Sequence, residues 1–149
     1  MTDFVEILNN YCTANNFKFV YGRKASLNLL DNRTALEPHK IYLMCEPFRR
    51  VSERTAIGKI KSYLFNGSFF LAVNSNIDMP VFNEVGNSEV RSKYILNIKP
   101  LLDLQSKMVD YFSCTDIEIV NWDVIDVYDI FDQNKDGILV TFSVRSNVY

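Results

Sequence analysis

The sequence predicts an α+β fold: a mainly antiparallel sheet with helices packed on one face and a β-hairpin closing the chain. Three observations carry this. Apolar residues recur at helical spacing in two stretches, one near the start and one around residues 95–112. Elsewhere β-branched and aromatic residues alternate with polar ones at the period of a strand. The order of these segments (helix, strands, long loop, helix, hairpin) segregates helices from strands rather than interleaving them as βαβ units.

A chain of 149 residues reads as one domain, 1–149, long enough to bury about two-thirds of the surface its unfolded form exposes. Hydrophobic residues make up 48% and aromatics 13%, which excludes disorder and favours a sheet with covered faces. Eight tyrosines favour a protein with a large contact surface, because tyrosine suits half-wet interfaces better than dry cores. Cys12, Cys45 and Cys114 are odd in number and form no CxxC pair, so buried, reduced thiols are expected rather than disulfides or zinc. Met1-Thr2-Asp3 runs directly into an amphipathic pattern, and no apolar run approaches the length of a membrane span. A soluble protein without a secretory leader and without a membrane partner is therefore expected. Net charge is −2, whereas a protein holding DNA by counterion release is usually basic overall or carries an obvious basic face.

Taken in order, Thr2 is the expected cap of a first helix. Phe4, Ile7, Leu8 and Tyr11 form its apolar face, and Asn15-Asn16 ends it. Phe17, Phe19 and Tyr21 alternate as a first strand that breaks at Gly22-Arg23. Residues 25–30 fit either a short strand or a helical turn, and Asp31-Asn32-Arg33 reads as a loop. After Pro38, Ile41–Cys45 is a compact apolar run with the character of a central strand. Residues 49–61 then bring Arg49, Arg50, Arg54, Lys59 and Lys61 together against Glu53 alone, and with Gly58 they read as a basic, mobile connection. Ser62–Val73 is strand-like again, with Asn66-Gly67 as a bulge or tight turn. Residues 74–92, rich in Asn and Asp and carrying Pro80 and Gly86, read as a long loop, and loops of that length are usually functional. The second helix is placed at Pro100–Phe112, with Ile95 and Ile98 leading into it, and 113–116 turn into the hairpin.

The hairpin is the clearest feature. Ile117, Ile119, Val124, Ile125, Val127 and Ile130 lie before the polar run 132–137, and Ile138, Val140, Phe142 and Val144 alternate after it. Asp136-Gly137 reads as the reversal, with positive φ expected at Gly137. Asp132, Asn134, Asp136 and Gly137 match the opening of a calcium loop, but Ser143 stands where that loop needs a bidentate Glu, and the flanks alternate like strands.

No catalytic constellation is apparent, and neither an enzyme, a cofactor nor a metal is expected. His39 is the only histidine; it sits beside Pro38 in a turn, and Cys45 reads as core packing rather than a nucleophile. Asp123, Asp126 and Asp129 would share a face on a helix and could bind a divalent ion, but on a strand they alternate faces and make an acidic edge that deters aggregation. Three readings of the basic run stand side by side. It is solvated loop charge; or it contacts nucleic acid, with Phe48, Tyr63 and Phe65 stacking on bases; or it is an arm that meets an acidic edge such as Asp123–Asp129 on a neighbouring copy. The runner-up to assembly is a non-enzymatic nucleic-acid or protein-binding module built on this segment.

Ile119-Val120-Asn121-Trp122-Asp123, then Ile130-Phe131-Asp132, then the strand 136–142, resemble the closing hairpin of tail terminator and related head–tail ring proteins of bacterial viruses. The likeness extends over most of the chain in element order and carries over no functional residue. It implies a virion structural protein, assembled in the host cytoplasm, that forms a homo-oligomeric ring, hexamer or dodecamer, in the tail or neck. Its partners would be sibling copies, other neck, connector or tail proteins, and genomic DNA sliding through the channel without sequence-specific binding. The interaction residues this reading puts forward are Arg49, Arg50, Arg54, Lys59, Lys61, Asp123, Asp126 and Asp129, together with the loop around 79–87.

Overall fold

The computed structural model describes residues 3–22, 40–74, 92–130 and 135–147. The readings made for residues 23–39 and the loop 75–91 lie outside the described residues, whereas the expected cap of the first helix, Thr2, is corrected to Asp3.

Helix α1 spans Phe4–Ala14 and is capped by Asp3, whose carboxylate accepts a hydrogen bond from the Val5 amide at 2.9 Å. The extended backbone of Asp3 suits that role. The helix ends as expected at Asn15, and Asn16 takes the left-handed conformation (φ 58°) that asparagine tolerates. Strands β1 (Lys18–Tyr21) and β2 (Tyr42–Cys45) pair in parallel. β3 (Arg49–Arg54), β4 (Ile60–Asn74), β5 (Ile117–Ile130) and β6 (Lys135–Asn147) complete a mostly antiparallel sheet in the order β1-β2-β4-β6-β5, with β3 also paired to β4. A π-helical turn, Tyr94–Ile98, leads into α2, Lys99–Ser113, with Pro100 in the first turn where its missing N–H costs nothing.

β4 organises the sheet. β6 pairs with it from Ser62 to Asn74, so β2 and β3 share its other side end to end, β3 against residues 60–66 and β2 against 69–72. One face is covered by α1 and α2. Phe4, Leu8, Met108 and Phe112 meet Leu43, Phe65, Phe69, Leu71, Val140 and Phe142 in a single core. The rings of Phe4 and Phe142 lie 4.8 Å apart and those of Phe48 and Phe142 5.4 Å apart, both edge to face. Burying each phenylalanine there contributes roughly 2–3 kcal/mol. The α+β layout with helices on one face is the one the sequence predicts.

Three local expectations are corrected. The basic stretch 49–61 is not a mobile connection: Arg49–Arg54 is a strand laddered to β4, with only Thr55–Lys59 turning. Asn66-Gly67 neither bulges nor turns, because β4 runs straight through and both residues are paired. Gly67 is there for close approach, since a Cβ would lie 2.2 Å from the Phe48 Cβ. Asp136-Gly137 is not the hairpin reversal either. Both residues lie in β6, pairing with Val73 and Ala72, and β5 and β6 stay paired as far as Ile130 and Lys135.

The physical cause of that last shift is a set of buried polar contacts. Lys135 bonds Asn74 Oδ1 and places its ammonium 3.9 Å from the Tyr42 ring centroid. Asp136 accepts from Asn97 Nδ2 at 2.9 Å and lies 3.9 Å from the Lys93 ammonium. These contacts extend the strand past the point where composition alone suggests a turn. Gly137 does not have positive φ; a Cβ there would lie 2.0 Å from the Leu71 carbonyl oxygen, so glycine is required by backbone crowding.

Candidate functional site

Charge on this sheet is sorted by margin. Among the described residues, β3 and β5 each ladder to a single neighbour, so both are edge strands, on opposite margins and three strand spacings (about 14 Å) apart where they run level. Residues 49–61 carry five Arg and Lys against one Glu, whereas residues 116–130 carry five Asp and Glu and no Arg or Lys. Edge strands commonly use charge to prevent indiscriminate pairing. Here the two margins use opposite signs.

The cations of the first margin differ in what they touch. Arg50 lies on the helix-covered face with its guanidinium 4.6 Å from the Phe48 ring centroid and 3.5 Å from Asp3, tying β3 to the start of α1. Arg54 donates to the Gly58 carbonyl at 2.9 Å and closes the turn. Arg49, Lys59 and Lys61 are exposed, and none of them enters an ion pair with another described residue. The sequence grouped all five; the structure gives two of them local duties and leaves three outward. Phe48 and Phe65, put forward as stacking platforms, are 9% and 0% exposed and belong to the core, and Tyr63 packs against it. The two phenylalanines are not available to bases.

On the opposite margin β5 is confirmed as a strand, so Asp123 and Asp126 separate. Asp123 lies on the face opposite α1 and α2 and accepts from Asn121 Nδ2 at 3.0 Å; Asp126 lies on the other face and accepts from the Tyr128 hydroxyl at 3.2 Å. Burial first, and that hydrogen bond second, push Tyr128 up to about 12. The Asp129 side chain lies outside the described residues. Trp122 turns inward, donating its indole N–H to Gln105 Oε1 at 2.8 Å and fixing β5 to α2. A register shift between Ile119 and Asn121 bulges the strand at Val120, leaving that side chain 48% exposed.

The sequence did not foresee what joins the margins. Arg145 of β6, on the face opposite α1 and α2, donates Nε to Glu53 of β3 at 2.9 Å and Nη1 to Glu118 of β5 at 2.9 Å. The Arg145 hydrogen bond, followed by one from the Ser62 hydroxyl, holds Glu53 below its ordinary 4.5. One guanidinium thus occupies the single acid of the basic margin and one acid of the acidic margin, sharpening the contrast between what remains. These residues are 92 and 27 positions apart in sequence, and no local pattern announces the contact.

Elsewhere the inventory is sparse. Burial pushes the Cys12 and Cys45 thiols up to about 12, the reverse of an activated nucleophile, and Cys45 points its sulfur at the Ser68 carbonyl. A groove of about 200 Å³ lies between α2 and β4, lined by Ile41, Val73, Leu96 and Leu101 with the amides of Asn74 and Asn97. It gathers no pair of catalytic groups among the described residues. His39 lies outside them.

Comparison with protein-family models, with curated proteins and with solved structures found no match.

Proposed function

We propose that the protein is a self-assembling structural subunit whose unlike sheet edges meet head to tail, and that it serves as a tail terminator-like or neck ring subunit at the head–tail junction of a virus particle. The observation carrying this reading is the opposition of charge between β3 and β5 on one sheet. Contact between unlike surfaces is heterologous, and a heterologous contact that closes gives a ring. Pairing of like edges would bring cations to cations or carboxylates to carboxylates, so the same arrangement disfavours two-fold dimers. The virion role rests on the resemblance of the closing hairpin. Near-neutral net charge suits a subunit around a channel through which DNA slides without being held.

Sedimentation velocity over a range of concentration and salt tests this. Discrete rings should form as protein concentration rises, and the association should weaken as salt screens the margins. Electron microscopy of the assembled fraction should show closed rings. A species that stays monomeric throughout and binds duplex DNA with a steep salt slope would replace this reading with the binding module built on residues 49–61.

A further inference from the structure

Ile57 is 79% exposed, more than any other large hydrophobic side chain among the described residues. It stands at the tip of the β3–β4 hairpin, which extends past the last pairing of β4 with β6 at Ser62. The tip is firmly built. The Thr55 amide donates to the Lys59 carbonyl at 2.8 Å, the Gly58 amide to the Thr55 carbonyl at 2.9 Å, and the Lys59 amide to Thr55 Oγ1 at 3.2 Å. Gly58 supplies the positive φ (82°) the turn needs. A pre-ordered apolar knob loses little freedom on docking, which is the property of an interface anchor.

We propose that this knob is the anchor between copies: Ile57 of one subunit seats on the exposed face of β5 opposite α1 and α2 in the next, between Val120 and Ile125, with Lys59 and Lys61 reaching Asp123. The inference rests on the unlike-edge reading and names the contact that would hold it. Two features select that surface. Val120 and Ile125 are 48% and 56% exposed and flank Asp123 on a single face, because the bulge at Val120 puts it on the side that Asn121, Asp123 and Ile125 share. The charges are complementary: Lys59 and Lys61 flank the knob, Asp123 lies within the patch, and none of the three enters an ion pair with another described residue. A knob meeting a knob would instead bring Lys59 and Lys61 against themselves.

Cysteine crosslinking reads this directly. In a Cys114→Ser background, which removes the exposed native thiol and leaves the buried Cys12 and Cys45, Ile57→Cys and Ile125→Cys are made singly and together. With a short thiol-to-thiol reagent, the double variant should give a ladder of covalent multimers, while each single variant stays uncrosslinked. Ile57→Ser should weaken association roughly 10- to 100-fold without altering the fold. If the wild type assembles but the double variant gives no ladder, the anchor is wrong and the edge reading survives. If the wild type never assembles, both fall. A covalent dimer from Ile57→Cys alone would place knob against knob and overturn the proposal, as would duplex-DNA binding that Ile57→Ser abolishes.

Discussion

β3 and β5 lie on opposite margins of one sheet and solve the exposed-ladder problem in different ways. β3 is six residues long, and its arginines are partly spent at home, Arg50 on Phe48 and Asp3, Arg54 on the turn. β5 is fourteen residues long, bulged and uniformly acidic, and between its carboxylates it exposes Val120 and Ile125. On the proposed head-to-tail contact, the difference gives charge on these edges a second role besides keeping neighbours away. Edges of one sign would repel every sibling, whereas edges of opposite sign refuse their own kind and accept the other.

The comparison requires that the sheet hold its margins rigidly, so the most disruptive test is at its centre. Gly137→Val would drive a side chain into the Leu71 carbonyl, and the expected loss exceeds about 4 kcal/mol or folding fails altogether. Urea unfolding measures it, and a change below about 1 kcal/mol would mean that β6 is not packed as described.

A smaller effect comes from the bridge between the margins. Arg145→Gln should lower the melting temperature at pH 7, because it releases Glu53 and Glu118 together. Glu53 has a depressed folded pKa, so its contribution is present above its ordinary value of 4.5 and is lost as pH falls through the folded value. The gap between wild type and variant should therefore narrow below pH 4.5; a constant gap down to pH 2 would remove Glu53 from the account.

The smallest effect separates two adjacent arginines. Arg50→Ala should cost about 1 kcal/mol, from its contacts with Phe48 and Asp3, whereas Arg49→Ala should leave stability within about 0.5 kcal/mol. Equal effects at the two positions would show that β3 has no inward and outward cations.

Much of this architecture is legible in the residues because its signals are local. The apolar faces of α1 and α2, the run 41–45 and the arms of the hairpin all announce themselves by periodicity. β3 is concealed because an edge strand with wet surroundings lacks apolar alternation, and only Val51 interrupts its polar run. β4 is misread at Asn66-Gly67 because a strand glycine serving close approach to Phe48 looks, in sequence, like one serving a turn. The start of β6 is misread for a related reason: Lys135 and Asp136 have turn-forming character, and tertiary partners override it. The acidic and basic groups were visible as clusters, but not that they occupy opposite margins, nor that Arg145 links Glu53 to Glu118. Those depend on strand order, which no local pattern encodes.

Charge exchange between the margins tests the central claim most directly. One variant carries Arg49→Glu, Lys59→Glu and Lys61→Glu, making both margins acidic; a second carries Asp123→Lys and Asp126→Lys, turning the acidic margin towards the basic. Sedimentation of each alone and of an equimolar mixture is the measurement. The account predicts that neither variant assembles alone and that the mixture does, each subunit of one kind lying between two of the other. A mixture that stays monomeric while the wild type assembles, or a singly altered protein that assembles as well as the wild type, would contradict it.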